Sequence, residues 1–138
     1  MFFCLFTRLY VQTSGGEANK LLIGTWGEGI KVYDKEQERI YPLPGTEHLG
    51  TTFINAIYKD SRGFMWFGTA AGLARYDGYR FKVFRSTDNG SASLPDNYIE
   101  KIVEDSEGRL WIRTGENGYV IYNWDTESFV CDVRSRMW

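Results

Sequence analysis

One ten-residue pattern occurs twice in this 138-residue chain, and its recurrence restricts the fold more than any other feature. Asp60-Ser-Arg-Gly-Phe-Met-Trp-Phe-Gly-Thr69 and Asp105-Ser-Glu-Gly-Arg-Leu-Trp-Ile-Arg-Thr114 share Asp, Ser, Gly, Trp and Thr at a spacing of 45 residues, Asp60 to Asp105. A weaker copy precedes them. In Leu21-Leu-Ile-Gly-Thr25 the Gly-Thr pair lies 44 residues before Gly68-Thr69, with Leu22 where the other copies have Trp66 and Trp111. Each copy continues into a glycine, a short apolar run and a tyrosine: Gly29-Ile-Lys-Val-Tyr33, Gly72-Leu-Ala-Arg-Tyr76 and Gly118-Tyr-Val-Ile-Tyr122. Each then reaches a last apolar run, Arg39-Ile-Tyr41, Phe81-Lys-Val-Phe84 or Phe129-Val-Cys131. Self-similarity at a fixed period marks a repeat architecture, and four short runs per unit, bounded by turn residues, read as four antiparallel strands.

Turn chemistry supports this reading. In Asp60-Ser61-Arg62-Gly63 and Asp105-Ser106-Glu107-Gly108 the aspartate can accept turn N–H groups and the glycine can adopt positive φ. Asn19 falls at the glycine position of the first copy, and Asn tolerates that conformation next best. Asp96-Asn-Tyr-Ile-Glu-Lys-Ile-Val-Glu104 also offers an N-cap and helical spacing. Its counterpart Phe53–Lys59 is richer in strand formers, and both end at the hairpin aspartate after a strand's length, so both are assigned as strands. The polar tract Ser86–Pro95 reads as a loop between units. The expectation is an all-β, partial β-propeller of about three four-stranded antiparallel blades, two complete and the first incomplete. Residues 1–20 form an N-terminal stub, 21–52 the incomplete first blade, 53–97 the second and 98–138 the third. Propellers usually need at least four blades to close, so the isolated chain is expected to expose blade faces and to be poorly soluble or self-associate.

These residues resemble the two-component regulator propeller repeat of Bacteroidetes hybrid histidine kinases. The similarity is closest over Asn55–Tyr79 and in the lead-in Leu94-Pro-Asp-Asn-Tyr-Ile99, and spans about residues 21–132. The third unit departs from the pattern, with Arg113 in place of the glycine before the threonine and Asn123 in place of the aspartate after the tyrosine. The resemblance implies a periplasmic sensor region that detects a carbohydrate breakdown product and signals to a histidine kinase absent from this chain. Implied partners are an oligosaccharide ligand and further blades of the same chain or a partner propeller.

Asp60, Gly63, Trp66, Thr69, Asp105, Gly108, Trp111 and Thr114 recur and are therefore assigned structural roles, the tryptophans in packing between blades and the aspartates in capping turns. Trp26, Tyr79 and Trp124 do not recur and sit near turns, where a propeller presents its loops, so they are the candidate ligand-binding residues. A sialidase-type Asp box also places Asp, Gly and Trp in a hairpin, but Asp-x-x-Gly-x-x-Trp here is one residue longer. No arginine triad and no Tyr–Glu nucleophile pair accompanies it. His48, the only histidine, lies in a polar stretch and reads as solvated. No nucleophile with a base, phosphate loop or metal-ligand cluster is evident, so neither enzymatic activity nor a metal or cofactor is expected. A generic protein-binding scaffold is the alternative function, and a sialidase-like or lyase-like enzyme a remote one.

With 16 basic and 18 acidic residues and a pI near 5.4, the chain lacks the positive field that phosphate neutralisation needs, so nucleic acid is not an expected partner. No apolar run approaches the roughly 20 residues of a membrane span, and no membrane contact is expected of this segment. Met1–Phe6 is apolar but short, and is read either as a leader remnant or as an edge strand. Cys4 and Cys131 belong to no Cys-x-x-Cys pair and define no disulfide framework.

Overall fold

The computed structural model describes residues 10–13, 19–86, 93–115 and 118–131. The described residues form three four-stranded antiparallel sheets in which strands follow one another in chain order. The first contains β1 (Tyr10–Thr13), β2 (Lys20–Gly24), β3 (Ile30–Asp34) and β4 (Arg39–Pro42). The second contains β5 (Ile54–Lys59), β6 (Met65–Thr69), β7 (Gly72–Tyr76) and β8 (Phe81–Phe84). The third contains β9 (Ile99–Glu104), β10 (Leu110–Thr114), β11 (Gly118–Asn123) and β12 (Ser128–Cys131). The first strands of successive sheets, β1, β5 and β9, pack beside one another, as the inner strands of propeller blades do.

β9 is a strand, and the helical spacing of Ile99 and Ile102 has a different origin. Both are buried, Ile99 before and Ile102 after a break in the pairing register that shifts the alternation by one residue. The first sheet differs in detail from the expected incomplete blade. β1 pairs with β2 from Tyr10↔Gly24 to Thr13↔Leu21, so this part of the stub is an edge strand. The first repeat lacks the leading sequence signature rather than a strand. Met1–Phe6, Cys4 and most of the Ser86–Pro95 loop lie outside the described residues.

Two cores alternate through the stack. Met65 and Phe67 of β6 are buried with Leu22, Ile30, Val32 and Leu49, toward the first sheet. Trp66, on the opposite face of the same strand, is buried with Ile99, Ile112, Val120 and Tyr122 of the third. Successive residues on a strand point to opposite faces, so a sheet covered on both sides buries every position. β6 is buried throughout, whereas β10 alternates, with Trp111 half-buried and Arg113 exposed. A Cβ on Gly68 would lie 2.7 Å from Ile99 Cγ2, while Arg113 projects outward and pairs with Glu100 at 3.0 Å. The second departure is functionally neutral for the turn: Asn123 Oδ1 accepts the N–H groups of Asp125 and Thr126, as Asp34 and Asp77 do in the other sheets.

The repeated aspartates cap their hairpins and do more. Asp60 Oδ1 accepts the N–H groups of Arg62 and Phe64, and Asp105 Oδ1 those of Glu107 and Arg109. The second carboxylate oxygen accepts an indole N–H, Trp66 to Asp60 at 2.7 Å and Trp111 to Asp105 at 2.8 Å. Asp and Trp therefore recur together because they form one hydrogen-bonded unit. The repeated threonine closes the next turn. Thr69 Oγ1 donates to the Gly72 carbonyl and accepts from Ala71 N–H, and Thr25 repeats this with Gly29 and Glu28.

The Trp111 indole, then Arg109, hold the Asp105 carboxyl far below the ordinary carboxylate range. A folded-state pKa below the unfolded value near 3.9 stabilises the fold above that pH, and the contribution is lost as pH falls through the folded value. An Asp105→Asn variant is accordingly expected to melt below wild type at neutral pH and to converge with it only well below about pH 4. Thermal unfolding across that range checks this. A gap already closed at about pH 4 would contradict the assignment.

A candidate ligand-binding rim

Antiparallel order places the β5–β6 and β7–β8 turns at one end of the second sheet and the β6–β7 turn, with the connections between sheets, at the other. This second end is here called the rim. On it the turn from Thr25 to Gly29 is one residue longer than its counterpart from Thr69 to Gly72. It is stitched to the strand lead-in of the next sheet: Gly27 and Gly29 both donate to the Thr52 carbonyl, at 3.0 and 2.9 Å, and Ile54 N–H donates to the Thr25 carbonyl. The two glycines have φ of 118° and 74°, which L side chains rarely adopt.

That stitching presents an aromatic pair. Trp26 forms an isolated antiparallel bridge with Phe53, and their rings meet edge to face at 5.7 Å and 87°. Trp26 is half-buried, Phe53 is 43% exposed, and the Trp26 indole N–H donates to Asn55 Oδ1 at 2.8 Å. Tyr98 stands 45 residues after Phe53, at the same position immediately before the first strand of its sheet, and is 39% exposed. The two lead-ins are held alike: Ala70 N–H donates to the Phe53 carbonyl and Gly115 N–H to that of Tyr98. Phe53 and Tyr98 are not among the candidates that the sequence singles out. The available signal was an aromatic recurring at a position that buries neither copy.

Among the sequence-derived candidates, only Trp26 lies on the rim. Tyr79 sits at the opposite end, in the β7–β8 turn, and is 91% exposed. Trp124 is also at that end but is packed into the seam between the second and third sheets. Arg62 stacks over its ring at 4.0 Å, and Phe64, Trp66 and Tyr122 contact it at 5.7, 5.9 and 5.0 Å. The same seam holds Arg75, which donates to Tyr122 Oη at 3.0 Å and to Glu127 at 3.1 Å, with Lys82 also bonded to Glu127. Lys82 and Arg75 keep the Glu127 carboxyl below its ordinary range. The three candidates do not converge: the rim carries Trp26 with Phe53 and Tyr98, and the opposite end carries Tyr79 and Trp124.

His48 is exposed in a short 3₁₀ turn, Thr46–Leu49, where its carbonyl accepts from Arg85 at 2.7 Å. Among the described residues no group of three or more His, Cys, Asp or Glu side chains converges to hold a metal ion. No helix among them is long and apolar enough to cross a membrane.

Residues 48–71 and 93–116 match the two-component regulator propeller family. No curated protein matches the chain significantly. Among solved structures, a protein described as the extracellular domain of a hybrid two-component system from B. thetaiotaomicron is similar, with 25% identity and a TM-score of 0.62. That match covers 89% of this chain and 15% of the other. The extracellular domain described as that of a one-component system from the same organism is 21% identical with a TM-score of 0.49, covering 87% of this chain and 23% of that one. Virginiamycin B lyase from Staphylococcus aureus is 21% identical with a TM-score of 0.55, covering 85% and 37%, and shows a shared fold. The chain thus spans about 15% of the length of the first of these structures. Both family matches run from the lead-in of a sheet, through its first hairpin, into the threonine turn, so the second and third sheets each carry one match to the two-component regulator propeller repeat.

Proposed function

We propose that this chain is part of the periplasmic sensor propeller of a hybrid two-component system, that its rim binds a carbohydrate breakdown product, and that the signal passes to a histidine kinase. The observation that carries the binding part is the rim surface of Trp26, Phe53 and Tyr98, whose partly exposed rings suit the flat apolar face of a sugar. The repeat family and the extracellular origin of the similar hybrid-system structure support the sensor part. On this reading the blades bind without catalysing a reaction, because the aspartates that would suggest acid–base chemistry are occupied by turn amides and indoles.

The test is calorimetry of the protein carrying these blades against oligosaccharides released by partial hydrolysis of plant and host glycans. Binding heat is expected, and Trp26→Ala or Phe53→Ala should weaken affinity by about 10-fold or more, the order of one lost aromatic platform. Absence of heat from every mixture would favour a protein-binding scaffold, and turnover of a glycan would favour an enzyme.

A further inference from the structure

Asn55 follows Ile54 at the start of β5 and occupies a break in the ladder. Ile54 pairs with Thr69 and Ala56 with Gly68, so Asn55 is the extra residue of a bulge. The third sheet has the same break: Ile99 pairs with Thr114 and Lys101 with Arg113, leaving Glu100 as the extra residue. Bulges re-aim a side chain out of the regular alternation. Glu100 is turned toward Arg113 on an exposed face, but Asn55 is turned into the stack and is 3% exposed.

There its amide spans three blades. Oδ1 accepts the Trp26 indole N–H at 2.8 Å, from the first sheet, and Nδ2 donates to the Ile99 carbonyl at 3.0 Å, at the start of β9 in the third. An indole nitrogen only donates and a backbone carbonyl only accepts, so the two contacts admit a single orientation of the amide. Flipping it would set N–H against N–H and oxygen against oxygen. Each bond thus fixes the amide for the other, as hydrogen bonds in a buried chain do. Asparagine is suited to this role in a way its neighbours in size are not: aspartate could only accept, and leucine could do neither.

We infer that Asn55 is a positioning residue that couples the rim to the inner strand of the third blade: it sets the Trp26 indole at the ligand surface, and displacement of Trp26 loosens the Asn55 bond to Ile99. The inference rests on the rim reading for its biological meaning, but the coupling itself is measurable without ligand.

Hydrogen-exchange mass spectrometry of the full-length protein tests it. Trp26→Phe keeps an aromatic ring against Phe53, deletes the N–H and makes the ring smaller, and Asn55→Leu removes the same bond while leaving the indole intact. Trp26→Phe should raise exchange in peptides covering β9 by about fivefold, the factor that one net hydrogen bond represents. Peptides covering β11 and β12 should not change. Asn55→Leu should raise β9 exchange similarly, and adding Trp26→Phe to it should produce no further rise. Asn55→Asp keeps the acceptor for Trp26 but not the donor, so it should raise β9 exchange while leaving Trp26 fluorescence near wild type. Unchanged β9 exchange in Trp26→Phe, or equal effects of Trp26→Phe with and without Asn55→Leu, would overturn the coupling. Should the Asn55 variants fail to fold, the Trp26→Phe comparison still decides. The rim reading fails separately, if Trp26→Ala leaves the calorimetric affinity for the oligosaccharide mixture intact.

Discussion

Replacing Trp66 by alanine is expected to lower the unfolding free energy by about 3–5 kcal/mol, the cost of truncating a fully buried aromatic without collapse of its site. Trp66 is completely buried between the second and third sheets. Its ring stacks on Phe84 at 6.0 Å and meets Tyr122 and Trp124 edge-on at 5.1 and 5.9 Å. Arg75 lies 5.8 Å from its centroid. Urea denaturation of wild type and variant measures the loss. Trp66→Phe separates two contributions, because it keeps an aromatic ring and deletes the donor to the buried Asp60 carboxylate. A hydrogen bond to a charged group is worth roughly 1.5–3 kcal/mol, so the phenylalanine variant should lose at least that much, with the void left by the smaller ring added to it. Trp111→Ala should cost less, because Trp111 is half-buried and has Tyr119 at 6.3 Å as its aromatic neighbour. Equal losses at the two tryptophans would mean that the hairpin unit, rather than burial in the seam, sets the energy.

Strand number and order followed from local periodicity, and the hairpin caps followed from Asp and Gly three residues apart, because both are short-range effects. The carboxylate–indole bond was not visible. It joins residues six apart across a turn, and nothing in either residue's local preference calls for the other. The first strand lies in the stub that the sequence left open between a leader remnant and an edge strand, because Tyr10-Val-Gln-Thr13 carries none of the signature residues and is recruited by pairing with β2. The candidate site was legible only at Trp26. A residue near a turn can serve either a ligand or a neighbouring blade, and the choice depends on which side chains the next sheet brings to it. Arg62 and Phe64 of the second sheet pack against Trp124 of the third, whereas Phe53 and Asn55 of the second orient Trp26 of the first. The Asn55 contacts span 29 and 44 residues, so they exist only once three sheets are stacked.

Gly68→Ala should destabilise the fold by about 1–3 kcal/mol, the range for forcing an extra methyl into a packed interior. The cause is close approach rather than backbone freedom, since Gly68 is not among the glycines with positive φ. A Cβ there would lie 2.7 Å from Ile99 Cγ2, 3.2 Å from Ile99 Cβ and 3.2 Å from Ala56 Cβ, and Ile99 itself is fully buried. Neither sheet can yield without disturbing the inner strands, where Asn55 is also bonded to Ile99. If the clash is the whole effect, Ile99→Ala should relieve it. That change alone leaves a cavity costing about 2–5 kcal/mol, but in the double variant the new methyl occupies part of the space vacated. The double variant should therefore be more stable than the sum of the two single losses predicts, a coupling expected of residues in direct contact. Arg113→Gly at the equivalent position of the third sheet should change stability little, because the arginine is exposed and its partner Glu100 is a surface residue. Additive losses at Gly68 and Ile99, measured by urea unfolding of all four proteins, would mean that the glycine serves the strand itself. A favourable coupling would instead locate its role in the spacing between the second and third sheets.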